Sequence, residues 1–123
     1  MVRILLVDDE PDILSSMKKG LTNNGFVVDA YDNPQKALDE FRPQTYDLAI
    51  FDFKMPKMTG FDLYREIKKK QPDIKVNFLT AFDLNFDSIE SVFVDLDVKC
   101  FIQKPTTIAK LTEQIRKETG NRN

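Results

Sequence analysis

The 123-residue sequence has no histidine, no tryptophan, one cysteine and only four glycines. Without imidazole, Ser-His-Asp and Cys-His nucleophile systems, proximal-histidine haem and most zinc sites are excluded. The glycines are Gly20, Gly25, Gly60 and Gly120, so neither a G-x-G-x-x-G turn nor a G-x-x-x-x-G-K-[ST] phosphate cradle can be written. Cys100 has no internal partner for a disulfide, and Met1 leads directly into an apolar run without a signal-peptide pattern. A reduced, cytoplasmic setting is expected. Apolar runs stop far short of the roughly 20 residues that span a bilayer, which predicts no membrane segment. Eighteen basic residues against 20 acidic ones leave a net charge of -2, so no global attraction to nucleic acid or to anionic lipid is expected.

With 41% hydrophobic residues, the chain can build a core without disulfides or metals. Its length suits one domain, expected over residues 1–119, with a short polar tail at 120–123. Apolar stretches at Val2–Val7, Phe26–Tyr31, Leu48–Phe51, Ile74–Leu79 and Cys100–Ile102 read as strands. They are mostly continuous rather than alternating, as in a parallel sheet covered on both faces. Between them run helical stripes: Ile13, Leu14, Met17, Leu21; Ala37, Leu38, Phe41; Leu63, Tyr64, Ile67; Phe86, Ile89, Phe93, Leu96; and Ile108, Leu111, Ile115. Asn33-Pro34, Thr59-Gly60 and Thr106 read as helix starts, and Gly25 as a stop. The predicted fold is α/β: a doubly wound five-stranded parallel sheet in the flavodoxin-like order 2-1-3-4-5, with five helices.

Such sheets bind ligands beyond the carboxyl ends of their strands. There the sequence places Asp8-Asp9-Glu10 after strand one, Asp52 after strand three, Thr80 after strand four and Lys104-Pro105 after strand five. In the predicted order, strands one and three are neighbours, so Asp8, Asp9 and Asp52 crowd together and repel. A hard divalent cation, most naturally Mg²⁺, relieves that repulsion and also collects phosphate oxygens. Asp52 is then placed to act as a nucleophile toward phosphorus, with Lys104 pairing with it and Thr80 hydrogen-bonding to it.

The set Asp8-Asp9, Asp52 within Asp-Phe-Lys-Met-Pro-Lys-Met-Thr-Gly, Thr80-Ala81 and Lys104-Pro105 resembles the receiver domain of two-component response regulators, in a stand-alone, chemotaxis-regulator-like form. The resemblance covers nearly the whole chain. It implies a phosphorylation switch in which a histidine kinase or histidine phosphotransfer protein donates a phosphoryl group to Asp52 in a Mg²⁺-dependent reaction. Mn²⁺ is expected to substitute. By the same resemblance, Asp8, Asp9, Asp52 and the backbone carbonyl of Lys54 hold the metal. Thr80 and Lys104 hold the phosphoryl group, Phe101 swings inward, and the peptide before Pro105 is cis. The surface of the fourth helix, fifth strand and fifth helix would then meet an unidentified downstream protein, or a second copy in a homodimer. On this reading the chain catalyses only its own phosphorylation and dephosphorylation.

Several positions depart from the family pattern. Lys54 and Phe82 stand where smaller, neutral or polar residues are usual, and both are expected to modulate metal binding or loss of the phosphoryl group. The stretch from Thr80 to Lys104 is slightly long, and Asp97-Val98 replaces a common Gly-Ala. Phe82, Phe86 and Phe93 are candidates for a partner or dimer surface. The alternative function is a receiver-like protein-binding module that works without phosphorylation. A haloacid-dehalogenase-type phosphatase is disfavoured because Lys54 stands where its motif needs a second Asp. A flavodoxin is disfavoured because no Ser/Thr/Gly-rich loop follows strand one.

Overall fold

The computed structural model describes residues 1–81 and 101–120. Five parallel strands, β1 (Arg3–Val7), β2 (Val27–Tyr31), β3 (Leu48–Asp52), β4 (Val76–Thr80) and β5 (Phe101–Gln103), lie in the order β2-β1-β3-β4-β5. The order matches the expectation from the sequence. The described helices are α1 (Pro11–Asn23), α2 (Pro34–Glu40), α3 (Gly60–Lys70) and a C-terminal helix (Ile108–Thr119). The expected fourth helix, with Phe82, Phe86, Phe93, Asp97, Val98 and Cys100, lies outside the described residues.

Central strands β3 and β4 are buried at every position, which explains why they are mostly apolar, with Asn77 the one polar residue inside either strand. Alternation along them feeds two cores. Phe51 and Phe78 face Leu63 and Ile67 of α3 on one side of the sheet. Ile50 and Leu79 face Leu14 and Met17 of α1 and Leu111 and Ile115 of the C-terminal helix on the other. Each helix buries a single stripe, which leaves its charged face to solvent.

Helix ends are set by local chemistry. Asn33 caps α2 by accepting from the Lys36 amide at 3.1 Å. Thr59 and Asp62 form a reciprocal capping box that starts α3 directly after the β3 loop. Gly25, at φ +92°, supplies the left-handed residue just past α1. Two expectations shift slightly. The C-terminal helix is capped by Thr107, whose hydroxyl accepts from the Lys110 amide, rather than by Thr106. Phe41 is the residue that ends α2 and has extended backbone, yet it remains buried in the core.

The lysine run closing α3 is employed in fixing chain ends. Lys68 donates to the carbonyls of Pro72 and Ile74, Lys69 pairs with Glu66, and Lys70 donates to the Leu38 carbonyl near the end of α2.

Candidate functional site

Asp8, Asp9, Asp52, Thr80 and Lys104 all sit at or just beyond the carboxyl ends of strands. Asp8 follows β1 directly and is fully buried; its amide donates to the Tyr31 carbonyl at 3.1 Å, and its Oδ1 accepts from the Glu10 amide at 2.9 Å. Asp52 is the last residue of β3 and is 5% exposed. Thr80 is the buried last residue of β4, and its carbonyl accepts from the Lys104 amide at 2.7 Å. That bond holds the chain after β5 against β4 and aims Lys104 back across the sheet. The Lys104–Pro105 peptide is cis.

Carboxylate oxygens of Asp8, Asp9, Glu10 and Asp52 all lie within 4.8 Å of one another. Lys104 Nζ reaches into this group, at 3.1 Å from Asp8 Oδ2 and 3.4 Å from both Asp52 Oδ1 and Glu10 Oε1. Burial, and then the charge of Asp8, push the Asp52 carboxyl up to about 7, against the partly offsetting charge of Lys104. Burial lowers Lys104, but its hydrogen bond to Asp8 and the charges of Asp8, Asp52 and Glu10 outweigh it, and the net shift is upward. One ammonium therefore serves several carboxylates that repel one another. A donor set made only of hard carboxylate oxygens, crowded and short of positive charge, fits a small divalent cation.

The predicted residues are thus brought together: Asp8, Asp9, Asp52 and Lys104 form one cluster, with Thr80 beside them at the end of β4. Lys54 lies two residues past Asp52 in the β3–α3 loop, with its side chain exposed. Phe101 opens β5 and is buried at 9% exposure against Phe78 and Phe53. Phe82 lies outside the described residues. Two participants were missed. Glu10 was seen as part of the acidic run, but its membership in the cluster follows from the chain turning back at Asp8. Phe53 gave no signal beyond standing next to Asp52.

Beside Lys104 a cavity of about 660 Å³ opens between α1 and the C-terminal helix, lined mainly by apolar groups including Ile13, Met17, Leu79 and Ile108. Directly beneath Asp52, Gly60 donates its amide to the Phe53 carbonyl at 2.9 Å. A Cβ at position 60 would collide with the Asp52 carbonyl oxygen, so only glycine permits this approach of α3 to the end of β3.

Residues 4–116 match the family model of the response regulator receiver domain. The chain belongs to that family. It is 31% identical over 126 residues to the transcriptional regulatory protein RprY of Bacteroides fragilis, covering 99% of this chain and 52% of that protein. It is 32% identical over 120 residues to the response regulator receiver protein CpdR of Brucella abortus, covering 95% of this chain and 96% of that one. The chain therefore spans about half of RprY and nearly all of CpdR. Among solved structures, the response regulator TrrA of Thermotoga maritima in complex with Mg²⁺-BeF aligns with a TM-score of 0.75 at 32% identity, covering 96% of this chain and 99% of that one. TrrA has also been solved in complex with the histidine kinase ThkA.

Receiver domains are phosphorylation-activated switches of two-component signalling, and they act as signalling proteins rather than as enzymes with a separate substrate. This receiver carries an acidic cluster able to hold Mg²⁺. No helix among the described residues is long and apolar enough to cross a membrane.

Proposed function

We propose that this receiver accepts a phosphoryl group on Asp52 from a phosphohistidine of a histidine kinase or phosphotransfer protein. The observation that carries the reading is the convergence of Asp8, Asp9, Asp52 and Lys104 at neighbouring strand ends. An Asp52 carboxylate oxygen forms a bond to phosphorus as the phosphorus–nitrogen bond to the donor histidine breaks; the bond's electron pair leaves with the imidazole. The product is an acyl phosphate.

Asp8, Asp9, Asp52 and the Lys54 carbonyl would hold the cation, with Mn²⁺ as a substitute for Mg²⁺. Bound there, it supplies positive charge against the phosphoryl oxygens. Lys104 is already placed to pair with an anion at Asp52, and the Thr80 hydroxyl, one strand over, is the donor for a remaining oxygen. Phe101 then carries the change to the surface around β5 and the C-terminal helix, where a downstream protein or a second copy of the chain docks. The donor protein approaches over the cavity beside Lys104. Residues 1–119 make up the switch, 120–123 are its tail, and it works in the cytoplasm without contacting nucleic acid. Lys54 and Phe82 tune the lifetime of the phosphorylated state; unchanged Mg²⁺ affinity and dephosphorylation rate in Lys54→Asn would remove Lys54 from this role.

Support comes from TrrA, a relative of the same length class described with Mg²⁺-BeF and with a histidine kinase. The test is intact-mass analysis after incubation with Mg²⁺ and a small acyl-phosphate donor or a histidine kinase. A single hydroxylamine-labile phosphoryl adduct, dependent on Mg²⁺ and lost in Asp52→Asn, is the expected result. No adduct with either donor, despite Mg²⁺ binding, would instead favour the phosphorylation-independent binding module.

A further inference from the structure

Three phenylalanine rings, one directly after β3 and one each from β4 and β5, meet pairwise in a triangle. Phe53 lies edge-on to Phe78, with ring centroids 6.1 Å apart and planes at 88°, and edge-on to Phe101, at 6.2 Å and 69°. Phe78 and Phe101 complete the set at 5.5 Å and 30°. Phe78 and Phe101 are also register partners across β4 and β5.

Phe53 differs from the other two in being joined by one peptide bond to Asp52. Its backbone is held on both sides: the amide donates to the Leu79 carbonyl at 2.7 Å, and the carbonyl accepts from the Gly60 amide at 2.9 Å. A ring on so constrained a backbone is a fixed wall. Phe101, which starts the short edge strand β5, packs against that wall and is buried at 9% exposure.

We infer that Phe53 is a positioning residue of the switch: its ring holds Phe101 in the buried position and links that position to the chain at Asp52, by a route separate from the Thr80 hydroxyl. Edge-to-face pairs favour association beyond simple burial of area, so removing the Phe53 ring shifts the balance between buried and exposed Phe101 by roughly two- to tenfold toward exposure. A ligand at Asp52 that requires buried Phe101 must then bind more weakly once the Phe53 ring is gone, in proportion to the fall in the buried fraction. This last step rests on the proposed role of Asp52 as acceptor; the ring contact does not.

The experiment places 4-fluorophenylalanine at position 101 of the full chain and follows its ¹⁹F resonance, with exposure read from a soluble paramagnetic quencher. Phe53→Leu and Phe53→Met are compared with the parent and with Phe61→Leu, which alters a ring stacked on Tyr64 rather than on Phe101. Spectra are taken without ligand and during titration with Mg²⁺ and beryllofluoride. In either Phe53 variant, the expected result is a two- to tenfold shift of the buried–exposed balance toward exposure without ligand, and a rise in the beryllofluoride concentration at half-saturation in proportion to the lost buried fraction. Phe61→Leu should leave both unchanged.

An unchanged Phe101 resonance and quenching in a folded Phe53 variant overturns the inference. So does an equal change in Phe61→Leu, which would mark general loosening. Failure of the parent to bind beryllofluoride would count against the acceptor reading instead, and the ligand-free arm would still decide the role of Phe53.

Discussion

Lys104 lies closer to Asp8 than to Asp52, at 3.1 Å against 3.4 Å. Asp8 is fully buried and the Lys104 side chain only 16% exposed, so the ammonium balances the deepest carboxylate while still touching Asp52. The lysine thereby holds the acidic cluster together before any cation or phosphoryl group arrives.

Removing that ammonium leaves buried carboxylates facing one another. Lys104→Met is expected to cost about 2–4 kcal/mol of stability at pH 7.5 in the metal-free protein. Part of the loss should return in Lys104→Met combined with Asp8→Asn. Urea denaturation of both variants and of Asp8→Asn alone completes the double-mutant cycle.

The pH dependence follows from the raised Asp52 carboxyl, at about 7 in the fold against an ordinary value of 3.8. Between these values the folded chain binds more protons than the unfolded one, so stability is lost as pH rises through this window. The metal-free protein should therefore be less stable at pH 8 than at pH 5 through this group, by about 1–4 kcal/mol. Asp52→Asn should flatten the dependence. Mg²⁺ affinity should run the other way and increase with pH, because the ligands must be deprotonated. Denaturation midpoints and Mg²⁺ titrations at several pH values check both signs.

Gly60→Ala places a methyl group against the Asp52 carbonyl and within 2.9 Å of Phe53 Cα, both parts of the backbone. No flexible side chain is there to give way. The expected cost is about 1–3 kcal/mol despite alanine's better helix propensity, together with slower phosphorylation of Asp52 as the end of β3 is displaced. Thermal unfolding and the rate of adduct formation measure the two effects separately.

Asn77 sits in the middle of β4 at 1% exposure, with neither amide atom hydrogen-bonded among the described residues. It shares a sheet face with Leu79, toward the core beneath α1 and the C-terminal helix. Asn77→Val should raise stability by about 1–2 kcal/mol, since an unpaired buried amide is replaced by an apolar group that suits a strand. A lower urea midpoint in Asn77→Val would show that the amide has a partner this account lacks.

Local order determined much of this protein. The alternation of apolar strands with amphipathic stripes, and the polar residues at strand ends, made the sheet order, Asp8, Asp9, Asp52, Thr80 and Lys104 legible in the sequence. Strand periodicity and the ligand-binding rule for doubly wound sheets act over short stretches, and the sequence contains those stretches whole. The tertiary structure decided which groups touch. Glu10 enters the acidic cluster because the chain turns at Asp8, Lys104 favours Asp8 because the amide at 104 is pinned to Thr80, and Phe53 meets Phe101 because the pairing of β3, β4 and β5 brings the residue after β3 beside the Phe78–Phe101 pair. Thr107 rather than Thr106 caps the last helix for a similar reason, since either threonine has the chemistry and only the path of the chain after Pro105 selects between them. The cluster and ring contacts depend on distances between segments far apart in sequence, which packing sets and local pattern does not encode.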